Sequence, residues 1–233
     1  MSDIIDPLVY FVVFLLSTTL HEAAHAWAAK RGGDLTAYHG GQVSLDPLPH
    51  IRREPFGMVL LPLITALVTG WPLGFASAPY DPDWARRYPN RAALMALAGP
   101  AANLLLVVLA ALLLRAGAAA GVLYAPDSVR FGHVAGTSAG GWWPGVAAML
   151  SAFFSVNLLL GAFNLLPLPP LDGSGALPLF MRPKTSEMYQ TFLWSNRALG
   201  WIGILIAWKV FDVIFDPIFT GAVNLLYPGV SYH

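Results

Sequence analysis

Long apolar runs with almost no charge constrain this chain more than any other feature. A bilayer core about 30 Å thick is crossed by about 20 mainly apolar helical residues, and residues 7–29, 92–114 and 146–166 each supply such a run. Backbone polar groups in lipid must be satisfied within the segment, so single runs of this length read as helices. Residues 56–71 are apolar but number only about 16 and contain Pro62, which suits a tilted or re-entrant segment better than a full crossing. Residues 199–226 are interrupted by Lys209, Asp212, Asp216 and Pro217. That run reads as one tilted crossing or as an interfacial helix. The expected fold is all-α: a polytopic transmembrane helix bundle with short surface loops, formed by residues 1–233 as one integral-membrane domain. In 40–51, GGQVSLDPLPHI, the alternation of Val43 and Leu45 is compatible with a small β-hairpin at the surface.

Composition supports this reading. Hydrophobic residues make up 56% of the chain and charged ones 11%, against roughly 25% charged in a soluble domain. Thirteen basic residues balance thirteen acidic ones, leaving no excess positive charge to follow a nucleic-acid backbone. Nucleic acid is therefore not an expected partner; the lipid bilayer is. The opening MSDIIDP is acidic where a signal peptide would be basic, so the first run reads as a retained helix. Lys and Arg occur in all four links between the runs and give little orientation by themselves.

The first run carries His21-Glu22-Ala23-Ala24-His25. Four residues make about one helical turn, so both imidazoles share a face and can hold one ion, with Glu22 beside them as a base. Ionisable groups cost on the order of 2.5 to 3.5 kcal/mol each at the bilayer centre, so three within five residues mark a site rather than packing. The chain has no cysteine, and a third ligand must come from His, Asp or Glu at membrane depth. Glu54 and Glu187 lie in charged links, whereas Asp172 closes the run Asn164-Leu165-Leu166-Pro167-Leu168-Pro169-Pro170-Leu171-Asp172-Gly173. Its prolines must end the preceding helix, and irregular backbone at that depth is tolerated where it lines a protein cavity.

These two motifs together resemble the site-2 protease family of intramembrane zinc metalloproteases. The family's HExxH falls on His21, Glu22 and His25, its NxxPxxxLDG on Asn164, Pro167, Leu171, Asp172 and Gly173, and its GPxxN on Gly99, Pro100 and Asn103. The likeness covers about residues 8–175 and is greatest to compact bacterial members without a PDZ domain. The resemblance implies that His21, His25 and Asp172 hold Zn2+, that Glu22 is general base and acid, and that Asn164 positions or stabilises the reacting carbonyl. It further implies an endopeptidase that cuts membrane-protein substrates within or near their transmembrane helices, as a multi-pass protein of the bacterial inner membrane. Compact members often carry NPLxHIDPxG after the first helix. Here Asp46-Pro47-Leu48-Pro49-His50-Ile51 matches in part and Arg52-Arg53-Glu54 departs from it, so His50 is given no role.

A membrane metal-ion transporter is the rival reading of a His/Asp cluster, and Glu22 separates the two because transport has no use for a base beside the ligands. A protease must also hold its substrate unwound, for which 165–171 or a strand at 42–45 offers backbone. Ser17, Thr18 and Thr19 offer a polar lining for water. Lys209, Asp212 and Asp216 share a helical face and read as an interfacial anchor without a catalytic role, the alternative being a second polar site inside the bundle. His39, His133 and His233 lie in links or at the terminus, where solvation accounts for them.

Overall fold

The computed structural model describes residues 2–196 and 198–233, and the side chains of these except 2–5 and 212. The first helix, α1 (Ser2–Gly32), is followed by a short turn of helix, α2 (Thr36–His39), and by α3 (Pro47–Arg53). The start of α3 follows from its sequence: Asp46 accepts a hydrogen bond from the Leu48 amide at 2.9 Å, and Pro47 stands at the first helical position. A π-helical turn at Phe56–Leu60 leads into α4 (Leu61–Thr69), which Gly70 ends with a left-handed φ of 81°.

From Gly70 the chain turns back without regular secondary structure. The Phe75 amide bonds the Gly57 carbonyl at 3.0 Å, and Arg53 reaches the Ser77 carbonyl at 3.1 Å. Residues 56–75 therefore form a hairpin, helix in one direction and irregular chain back alongside it. At the tip Trp71 stacks on Tyr10 of α1, ring centroids 5.1 Å apart.

The helix α5 (Pro82–Arg87) is capped by Asp81, and α6 (Pro89–Ala119) follows directly. Arg91 and Trp84 both donate to the Gly32 carbonyl at 3.0 Å, which sets the start of α6 against the end of α1. A non-helical stretch leads to α7 (Trp143–Asn164). Its Ser155 and Ser151 hydroxyls accept from the amides of Gly132 and Ala135, pinning that stretch to the bundle. Beyond α7 come α8 (Asp172–Ala176), a 3-10 turn, α9 (Pro183–Ser195) and α10 (Ala198–Leu226).

Three helices are long and apolar enough to cross a membrane, within Asp6–Gly32, Pro89–Ala119 and Trp143–Asn164. The last helix bends by 53° between Ala198–Phe211 and Val213–Leu226 and makes a fourth if both halves form one span. Its far end is held by Arg115, which donates to the Leu226 carbonyl at 3.1 Å. Phe154, Leu114, Phe211 and Val223 belong to the apolar core that joins α6, α7 and α10.

The fold is helical, as expected, but the strand expected at 42–45 is not there. Those residues bend through Gly41, whose φ is 75°, into the Asp46 cap, and this leaves too short a stretch for a ladder. Antiparallel pairing among the described residues occurs instead as isolated bridges, Tyr124 with Gly136 and Arg130 with His133. Of the three charges in the last run, Lys209 and Asp216 are exposed, and the Asp212 side chain lies outside the described residues.

Candidate metal centre

The helical turn between His21 and His25 brings their rings together edge to face, with centroids 4.6 Å apart and the two Nε2 atoms 3.0 Å apart. Asp172 Oδ2 lies 3.1 Å from His21 Nε2 and 3.3 Å from His25 Nε2. Asp172 is delivered from 147 residues beyond His25 by the proline-broken segment after α7. Gly173 makes that fold-back possible, since a Cβ there would run into the backbone of Leu165 and Leu166. The turn is tied off by Ser174, which bonds the Leu171 carbonyl through both its amide and its hydroxyl.

What the ring nitrogens can do is fixed by their outer partners. His25 Nδ1 faces the Met95 carbonyl at 2.7 Å and so must carry the proton, leaving Nε2 as a lone pair. For His21 the same conclusion follows through two amides. Asn157 Nδ2 donates to the Phe153 carbonyl at 2.9 Å, which orients that amide and presents its Oδ1 to Asn103 Nδ2 at 2.8 Å. Asn103 is thereby oriented too, and its Oδ1 accepts from His21 Nδ1 at 2.5 Å. With both rings neutral, two Nε2 lone pairs and a carboxylate oxygen thus converge.

In that protonation state the arrangement repels itself unless a cation is shared. Asp172 Oδ2 is buried without a hydrogen-bond partner, as is Oε2 of Glu22, the residue after His21. Tetrahedral ligands about 2.0–2.1 Å from one zinc ion stand about 3.3 Å from one another, close to the three separations observed. Two imidazoles and one carboxylate are also a donor set suited to zinc. His21, His25 and Asp172 are the group among the described residues that can hold a metal, with ligand atoms all within 4.8 Å.

The helix α6 supplies the floor. Gly99 leaves its backbone against the imidazoles, where a Cβ would collide with both Nε2 atoms, and Pro100 cannot donate to the carbonyl one turn back. Sequence reasoning singled out Gly99 and Asn103 but gave them no contact with the ligands. The spacing of GPxxN, one helical turn, was the available signal.

Asn164 stands at the end of α7, and its Nδ2 donates to the Leu160 carbonyl at 3.0 Å. His50 is buried in α3, bonded through Nε2 to the Ser44 carbonyl at 3.0 Å, and is not part of the cluster. Of the polar residues proposed to line a water path, Ser17 accepts from Asn157 and Thr19 bonds the Leu15 carbonyl. Only the Thr18 hydroxyl is buried without a partner.

The Asn103 relay makes a first prediction. Asn103→Leu removes the acceptor that holds the His21 proton on Nδ1, and loss of such an outer partner costs roughly 10–100-fold in metal affinity. Competition with a zinc chelator on the purified variant measures this; unchanged affinity would show that the relay does not set the His21 tautomer.

Comparison with known proteins points to a family of zinc metalloproteases. Residues 9–195 match the sequence model of peptidase family M50. YwhC of Bacillus subtilis, which bears the name of a zinc metalloprotease, is 30% identical over 228 residues, covering 90% of this chain and 94% of its own. Rip2 of Mycolicibacterium smegmatis, named likewise, is 33% identical over 193 residues, or 80% of this chain and 65% of its own. Rip2 of Mycobacterium tuberculosis is 35% identical over 194 residues, with the same two shares. No solved structure matches the chain.

Proposed function

This chain belongs to peptidase family M50, whose members are zinc metalloproteases, and we propose that it is an intramembrane endopeptidase that cuts other membrane proteins within or near their transmembrane segments. The observation that carries this reading is the location of the centre. His21, Glu22 and His25 are each about 5% exposed, on a helix long and apolar enough to span a bilayer and packed against two more. A substrate that reaches them from the lipid is itself a membrane segment.

In the proposed reaction His21 and His25 would hold zinc through Nε2, and Asp172 through Oδ2. Zinc held there supplies a more acidic water and a polarised scissile carbonyl. Glu22 takes the proton of the attacking water on its carboxylate and passes it to the leaving amine as the C–N bond breaks. One N–H of Asn164 is engaged by Leu160, and the other meets the reacting carbonyl. His21 is kept in the productive tautomer by Asn103, and His25 by the Met95 carbonyl. We place the protein as a multi-pass protein in a bacterial inner membrane, in keeping with its three apolar helices and its bacterial relatives.

The test is reconstitution. Purified protein in liposomes is expected to cut a co-reconstituted single-span substrate inside or beside its membrane segment, to stop on chelation and to resume when zinc is added. Cleavage confined to soluble peptides would overturn the intramembrane reading.

A further inference from the structure

Three hydroxyls in a row, Ser17, Thr18 and Thr19, precede the histidines on α1, and all three are buried. A hydroxyl inside an apolar helix ordinarily bonds the carbonyl four residues back. Thr19 does so, donating to the Leu15 carbonyl at 2.8 Å, and Ser17 is engaged by Asn157 Nδ2 at 2.9 Å. Thr18 does neither. It is 7% exposed, and its Oγ1 is sealed from solvent with no hydrogen-bond partner among the described residues. A buried donor left unpaired costs its full desolvation, so a group must be found that this hydroxyl serves.

Helix geometry points to Glu22. Residues three, four and seven apart share a face, so Thr18 stands on the face that carries His21, Glu22 and His25. Helical side chains lean back towards the amino terminus, which brings the Glu22 carboxylate over the turn that holds Thr18 and Thr19. The Thr19 proton is spent on Leu15; that of Thr18 is not. Glu22 Oε2 is itself buried without a partner. One group thus lacks an acceptor and the other a donor, one helical turn apart. Of the other orphaned side-chain atoms among the described residues, Asp172 Oδ2 belongs to the ligand triangle, and those of His50, Ser186 and Tyr227 lie on α3, on α9 and just past α10.

We propose that Thr18 is a positioning residue for the base: its hydroxyl donates to Glu22 Oε2, directly or through one water. This rests on the protease reading, in which Glu22 takes a proton from the attacking water. A carboxylate on a flexible stem performs that step only while its plane is held, and misplacement of a reacting group by about 1 Å can cost roughly 100-fold. A bond at Oε2 fixes the plane and leaves Oε1 to meet the water. The donor suits the task, since β-branched Thr has few rotamers in a helix and a hydrogen bond to a charged oxygen is about twice as strong as one between neutral groups.

Thr18→Val keeps the shape and branching of the side chain and removes only the hydroxyl. In liposomes with a single-span substrate its kcat is expected to fall roughly 10- to 100-fold, the worth of a hydrogen bond to a charged group, with KM and zinc per protein unchanged. Thr18→Ser, which keeps the hydroxyl, is expected to stay near the wild-type rate. Thr18→Ala makes the same deletion in a better helix former should the valine variant fail to accumulate. A second measurement needs no turnover: the melting temperatures of purified wild-type, Thr18→Val, Glu22→Ala and the double variant form a cycle, and side chains that meet give non-additive shifts. The double variant is expected to depart from the sum of the two single shifts. Wild-type kcat without the hydroxyl, a loss confined to KM or to zinc content, or additive melting shifts would each overturn the proposal. A wild-type protein that cuts nothing would instead retire the protease reading, while the melting cycle would still decide whether the hydroxyl and the carboxylate meet.

Discussion

Glu22→Gln is expected to lower peptide cleavage by about 10²- to 10⁴-fold, the range a positioned general base contributes, with zinc content unchanged. The amide has the shape of the carboxylate but cannot take a proton. Glu22 is not one of the three residues whose ligand atoms converge, so its replacement leaves the two Nε2 atoms and Asp172 Oδ2 in place. Turnover and metal content measured on one preparation separate these effects. A variant that still cut at the wild-type rate would remove the proton-transfer role and favour the transporter reading, which needs the ligands and not the base.

The ligand set was legible because each part is local. One turn of helix puts His21 beside His25, and three prolines mark where α7 must stop and irregular backbone must begin. What the sequence does not display is the distance from Asp172 to the histidines, since that is set by Gly173 folding against Leu165 and Leu166. Nor does it display the direction of the Asn103 amide. That direction depends on the Phe153 carbonyl acting through Asn157, three helices meeting at one point, and no spacing rule encodes such a meeting.

The fold was legible in its spans and less so in its links. Length and hydropathy identify α1, α6 and α7, because lipid leaves a long apolar run little choice. The 42–45 segment misled because two apolar residues in alternation weigh less than a glycine turn on one side and a proline-led helix cap on the other.

Gly99→Ala is expected to cost zinc although alanine favours a helix over glycine by about 1 kcal/mol. The backbone at 99 is helical, so conformation does not oppose the change; the new methyl group does, since it would occupy the space of His21 Nε2 and His25 Nε2. Either the imidazoles turn away from Asp172 or α6 withdraws and takes Asn103 and the Met95 carbonyl with it. Both routes spread the ligand triangle, so affinity should fall by more than the roughly 10–100-fold of a lost outer partner. Asp172→Ala should reach a similar loss by leaving two ligands and an open site. Gly161→Ala in α7 serves as the control, because a Cβ there meets its nearest neighbours at 3.4 Å or beyond. Zinc per protein and chelator competition on the three purified variants decide the matter: a full, tightly held equivalent in Gly99→Ala would mean that the imidazoles do not meet against α6.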